Sequence, residues 1–233
     1  MYIINPTTKI TSITASSEDA SYLKENVEDD FRTNLWKSTS SSLATLTLSV
    51  SSGAQAIGIA YTNAPTVRVL VSGGVHDSTY TMDTYHPNLF VNYGTVATAH
   101  TVTLAFADPG TTVPYCGIIR CSNIHEFKNP RYGLNEGMTD YSVKKRTNNG
   151  ALYYLQRNIV RTFSGSIDVN RDTEFWVFMH QIAMSRGSAP MFWQITDINK
   201  TDWGVFAELN DMPSGSHDNP EDSTISFSLT EAI

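Results

Sequence analysis

From Thr45 the chain alternates strictly: Thr45-Leu46-Thr47-Leu48-Ser49-Val50 places an apolar side chain at every second position. Alternation of this kind marks a strand with one buried face. Ala56-Ile57-Gly58-Ile59-Ala60-Tyr61 follows, then Thr66-Val67-Arg68-Val69-Leu70-Val71, closed by Ser72-Gly73-Gly74. Thr101-Val102-Thr103-Leu104-Ala105-Phe106 is a further alternation, closed by Asp108-Pro109-Gly110, and Val113 to Cys121 returns as a strand. Short strands separated by Gly, Pro, Asn and Asp turns predict a β-sandwich, because each apolar face needs a second sheet to cover it.

The pattern changes after about residue 122, where Asn123 to Asn149 holds little periodicity and many turn formers. A boundary there divides the chain into 1–122 and 123–233. In the second part Asn148-Asn149-Gly150 supplies residues that tolerate positive φ, so it predicts a hairpin joining Tyr141–Arg146 to Ala151–Arg157. Asn158 to Val169 reads as a strand carrying Ile159, Arg161, Phe163 and Ile167. One helix is expected over 172–186: Asp172 as N-cap, Glu174 in the first turn, Phe175, Phe178, Met179 and Ile182 on one face, and Arg186-Gly187 at the end. Ala189 to Ile195, Trp203 to Leu209 and Ser223 to Leu229 restart strands.

Net charge is −7 over 233 residues, which argues against a nucleic-acid binder that depends on phosphate neutralisation. The two cysteines, Cys116 and Cys121, flank one predicted strand. On it their Cα atoms lie roughly 16 Å apart, out of disulfide reach, so two buried reduced thiols are expected. No apolar window is long enough for a membrane-spanning helix. Met1-Tyr2-Ile3-Ile4-Asn5-Pro6 lacks the basic start and apolar core of a signal peptide, so synthesis in the cytosol without general secretory export is expected. Without such a signal, Asn199-Lys200-Thr201 is a chance sequon.

Catalytic patterns are missing: there is no nucleophile elbow, no phosphate loop and no zinc spacing. Asp168, Asn170 and Asp172 alternate as in a calcium loop, but the Gly and distal Glu of that loop are absent. His76, His86, His100, His125, His180 and His217 are scattered. No catalytic residue, metal or cofactor is assigned. Two other concentrations stand out. Tyr80, Tyr85, His86, Phe90 and Tyr93 form an aromatic stretch that either packs the end of the sandwich or offers a loop for a glycan or partner. Lys144, Lys145 and Arg146, with Arg157 and Arg161 on neighbouring strands, form either a solvated edge that discourages aggregation or a subunit interface for an acidic partner.

Asn26, Val27, Asp29, Thr33, Trp36 and Ser38, followed by the strands ending at Tyr61, resemble the opening of a discoidin-like domain. The resemblance implies a jelly-roll sandwich with Trp36 in the core and the Asp turn bracing a loop. Asp29-Asp30 stands where Asp-Gly is usual, and the end-to-end disulfide of extracellular members is absent. Residues 123–233 resemble the tail-tube-like domain of bacteriophage distal tail proteins. The resemblance lies in Gly137-x-x-Asp140-x-Ser142, the Lys/Arg-rich strand, Asn149-Gly150, Arg161-x-Phe163, the helix, Gly187-x-x-Pro190-x-x-Trp193 and the last strand ending Leu229-Thr230-Glu231-Ala232. It implies a β-sandwich or barrel with one α-helix. Together the two resemblances imply a non-enzymatic structural protein of a phage tail tip or baseplate, made in the host cytoplasm and resident in the virion. Such a protein forms a ring, commonly hexameric, that joins tail tube to hub or fibres, with no membrane span and no nucleic-acid contact. The alternative is a carbohydrate-binding module for host-surface recognition, using the 80–93 aromatics; a glycan-cleaving enzyme ranks below both.

Overall fold

The computed structural model describes residues 1–31, 33–110, 112–147, 149–196, 203–217 and 221–232. The fold is mainly β, built of antiparallel sheets, with one helix longer than five residues among the described residues. The chain divides into two compact units: Met1–Glu126 with Met191–Phe206, and Phe127–Pro190 with Ala207–Ile233. Sequence reading put the boundary at 122 and left 191–206 in the second part. The structure returns that segment to the first unit, because Met191–Gln194 pairs antiparallel with the N-terminal strand Tyr2–Ile4 (Ile3 opposite Trp193).

The first unit is a two-sheet β-sandwich of the kind the discoidin resemblance implies. One sheet has five strands, ordered Ile10–Ala15, Ala44–Val50, His100–Phe106, Thr66–Val71, His76–Thr81. The other has four, ordered Trp36–Lys37, Tyr115–Ser122, Ala56–Thr62, Asn88–Asn92. The alternating residues face one another as expected: Leu46, Leu48, Val67, Val69, Val102 and Leu104 from one sheet meet Ile57, Ile59, Leu89, Val91 and Ile119 from the other. Trp36 is wholly buried, tilted against Phe106 at 5.5 Å, and its indole N–H donates to the Ser17 carbonyl at 3.1 Å.

Strand Ala56–Thr62 is buried on both faces, and Gly58 explains how. A Cβ there would lie 2.3 Å from Cγ of Phe192, so only glycine leaves room for that ring. Phe192 in turn packs on Phe206 at 4.7 Å, and Tyr61 meets Phe206 edge-on at 6.2 Å.

The turn at 26–38 is braced by its polar side chains. Asn26 Nδ2 donates to the Leu35 carbonyl at 3.1 Å; the Asp29 carboxylate accepts from the Phe31 N–H at 3.0 Å and from Asn34 Nδ2 at 2.8 Å. The departure from Asp-Gly has a reason: the Asp30 carboxylate accepts from Nη2 of the buried Arg120 at 2.7 Å, while Arg120 Nη1 also donates to the Val27 and Ile119 carbonyls. Cys116 and Cys121 lie buried and unbridged in one strand. Burial raises both thiols, Cys121 to about 11, so neither is a reactive thiolate near neutrality.

The second unit is a sheet ordered Gly204–Leu209 (through its last three residues), Asp222–Glu231, Ile159–Asn170, Asn135–Asp140, with Ser214–Ser216 also paired on Asp222–Glu231. Phe163, Ile167, Val169, Ile225 and Leu229 form its buried face, and the helix contributes Phe178 and Ile182. The helix begins at Glu174 and ends at Arg186; between turns of α geometry, Val177–Ala183 takes the wider i→i+5 hydrogen bonding. Its N-cap is Thr173, not Asp172, and the Thr173 side chain makes no capping hydrogen bond; Asn170 braces the turn that leads in. The Asn170 side-chain oxygen accepts from the N–H groups of Asp172 (3.1 Å) and Thr173 (3.2 Å), and the Glu174 carboxylate accepts from the Asn170 N–H at 2.7 Å. These bonds tie the turn Asn170–Thr173 together ahead of the first helical residue, Glu174. They also remove Asn170 from any calcium loop, and Asp168 is bound to Arg131 at 2.7 Å.

Candidate functional site

The basic strip resolves into a ribbon. The ladder between Asn135–Asp140 and Ile159–Asn170 runs as far as Asp140 opposite Ile159, then breaks. Ser142 bridges the break: its hydroxyl accepts from the Arg157 N–H at 2.9 Å, and its own N–H donates to the Asp140 carboxylate at 2.8 Å. The Ser142 hydroxyl and then its backbone N–H hold the Asp140 carboxyl below the usual carboxylate range, so Asp140 stays charged at neutral pH. Beyond the break pairing resumes between Val143–Arg146 and Leu152–Leu155, from Val143 opposite Leu155 to Arg146 opposite Leu152. The turn closes with Thr147 N–H donating to the Ala151 carbonyl at 2.9 Å and Gly150 at φ +84°, the left-handed value that the Asn-Gly pair is suited to supply. Asn148 lies outside the described residues; so does the sequon at 199–201.

Among the described residues this sheet has two strands. Leu152, Tyr153, Tyr154 and Leu155 are 61%, 54%, 48% and 42% exposed. Successive side chains point to opposite faces, so both faces of the ribbon carry open apolar surface. Lys144 stands 5.6 Å over the Tyr154 ring, opposite it in the ladder, while Lys145 faces Tyr153. A ribbon of two strands is marginally stable in water on its own, and this one carries four successive exposed apolar residues.

Of the basic residues predicted to act together, Lys144, Lys145 and Arg146 are exposed on the ribbon and Arg157 is exposed at its base. Arg161 is a correction: it is buried in the second unit's core. Its guanidinium meets Glu231, Nη2 to Oε1 at 3.3 Å, and the side chains are 9% and 6% exposed. Glu231 continues the alternating series Ile225, Phe227, Leu229 of its strand, and a carboxylate at that buried position was the signal for its role.

The aromatic stretch separates in a similar way. Phe90 and Tyr93 are 4% and 7% exposed and belong to the core of the first unit, so neither is free to stack on a ligand. The Tyr93 hydroxyl lies 3.2 Å from His100 Nε2 and 3.2 Å from Cys121 Sγ. Because His100 Nδ1 is 3.0 Å from the Thr98 carbonyl, Nδ1 carries the proton and Nε2 accepts from Tyr93. Tyr80 is half-buried with its hydroxyl 2.9 Å from His76 Nε2. Tyr85 alone stands out, 88% exposed on a turn in which Asp83 accepts from the N–H groups of Tyr85 (2.6 Å) and His86 (3.1 Å). Among the described residues no three His, Cys, Asp or Glu side chains gather as a metal site, and no helix is long and apolar enough to cross a membrane.

No family model and no curated protein matches the chain. Among solved structures it is similar to the family 32 carbohydrate-binding module of C. perfringens NanJ in complex with galactose, at 9% identity over 54% of this chain and 100% of that one, TM-score 0.43. It is similar to a Streptococcus pneumoniae fucose binding module, SpX-3, at 9% identity over 52% of this chain and 99% of that one, TM-score 0.40. It is also similar to reduced XRCC1 bound to the DNA pol beta catalytic domain, at 14% identity over 50% and 97%, TM-score 0.40. At such identities and scores nothing those proteins bind is carried over to this chain.

Proposed function

We infer that this chain is a non-enzymatic assembly subunit, a structural component of a phage tail tip or baseplate that associates into a ring joining tail tube to hub or fibres. The observation that carries the reading is the ribbon of Val143–Arg146 and Leu152–Leu155, exposed on both faces and mixing apolar with basic side chains. On an acidic chain of net charge −7, a basic apolar arm is suited to dock on other copies, with charge steering the approach and the Leu and Tyr side chains supplying buried area. Repeated contacts of this kind close into a ring when the rotation allows. The virion location and the hexamer rest on the sequence resemblance of 123–233.

The reading predicts that the purified protein gains mass with concentration in sedimentation velocity or light scattering. Changing Lys144, Lys145 and Arg146 together to Glu should shift that gain to higher protein concentration while leaving far-UV circular dichroism and Tm unchanged, because all three side chains are solvated in the single subunit. Equal assembly by the triple variant would reduce the strip to a solvated edge.

A second reading, a carbohydrate-binding module, has one specific observation in its favour: the exposed Tyr85, whose ring is free to stack on a sugar. Glycan-array binding lost on Tyr85→Ala, from a protein that stays monomeric, would favour it over assembly.

A further inference from the structure

We propose that the ribbon docks on a second copy of this chain, its strand Val143–Arg146 adding to the free edge of the neighbour's strand Asn135–Asp140. This rests on the assembly reading above and names the receiving surface. Asn135–Asp140 is the last strand of its sheet: it pairs with Ile159–Asn170 on one side, and no described strand pairs with the other. All of its residues but Thr139 are exposed. Open edges are usually guarded by Lys, Pro or a bulge. This one has neither Lys nor Pro, and its ladder to Ile159–Asn170 is unbroken. It carries Glu136 and Asp140, with Met138 exposed between them.

Charge decides which pairings are allowed. Two ribbons meeting through Val143–Arg146 would set Lys144, Lys145 and Arg146 against their own kind. Two edges meeting through Asn135–Asp140 would oppose carboxylates. Like charges directly opposite are destabilising, and opposite charges stabilise a cross-strand pair. Only ribbon on edge puts basic against acidic. The same approach offers cover to Met138 and Ile159, both exposed, from the Tyr and Leu side chains of the arriving ribbon. Main-chain hydrogen bonds would give the contact its register, as in other strand additions. Each copy carries both surfaces along one hairpin edge, so the contact closes a two-fold dimer when it is reciprocal and propagates around a ring or along a filament when it is not.

The test is p-benzoylphenylalanine in place of Tyr153, in an equal mixture of isotopically heavy and light full-length protein, irradiated at millimolar concentration and mapped by mass spectrometry. Heavy-to-light links from position 153 to residues 135–140 are expected. Heavy-to-light links elsewhere would overturn this receiving surface while leaving ribbon-driven assembly standing, and no heavy-to-light link at all would overturn both. A charge exchange gives an independent result. E136K alone and K144E/K145E/R146E alone should each weaken assembly on the order of tenfold, about 1.4 kcal/mol, and the two combined in one chain should restore part of it. A combined variant as weak as either parent would overturn the proposal.

Discussion

Replacing Glu231 by Ala is expected to destabilise the second unit by about 3–5 kcal/mol, the cost of removing the carboxylate from a buried ion pair. Arg161 and Glu231 expose only 9% and 6% of their side chains, so water cannot take over from the missing carboxylate. The Glu231 carboxylate also accepts from the backbone N–H of Arg161 at 3.2 Å, and that buried hydrogen bond would be lost as well. For a unit of this size the loss corresponds to a Tm lower by on the order of 15 °C or more. The partner experiment is informative: R161M/E231L should recover most of the loss, because an apolar pair of similar volume carries no desolvation cost. Chemical denaturation followed by circular dichroism measures both. A cost below about 1 kcal/mol for Glu231→Ala, the range of an exposed pair, would mean that water reaches the site.

Trp36→Ala should cost the first unit a similar amount, about 3–5 kcal/mol, from lost burial and from the cavity left behind. Trp36 is wholly buried, lies 5.5 Å from the Phe106 ring and ties the turn to the sandwich through its N–H bond to Ser17. Trp36→Phe keeps a ring against Phe106 and loses that bond, so it should cost less, about 1–3 kcal/mol. If both variants unfold at the same denaturant concentration as the parent, Trp36 is not the anchor between turn and core that the packing describes.

The strands and the helix were readable locally because alternation and helical spacing are short-range signals. Leu46, Leu48 and Val50 point inward as their alternation requires, and Phe178 and Ile182 share the buried face of the helix. Long-range pairing left no such mark. Met191-Phe192-Trp193-Gln194 is buried throughout, so it has no alternation to say which sheet it joins, and its partner Tyr2–Ile4 lies at the far end of the chain. Gly58 reads as a weak point in a strand until the Phe192 ring is seen to need the space. Arg161 sits in the sequence among other basic residues, and only the register that brings Thr162 opposite Thr230 places Glu231 beside it. Phe90 and Tyr93 carry the composition of a binding loop and the positions of a core. The ribbon was legible as a hairpin with a basic strand; that Leu152 to Leu155 would stand exposed on both faces was not, because such a run ordinarily signals burial.

Amide hydrogen exchange of the full-length chain, measured as concentration is raised, tests most directly whether the ribbon is an assembly arm. At low concentration the amides of Val143–Arg146 and Leu152–Leu155 should exchange fast, and at high concentration they should become protected while the buried core strands stay as they were. Ribbon amides that exchange equally fast in dilute and concentrated protein, while the particle nonetheless gains mass, would contradict it.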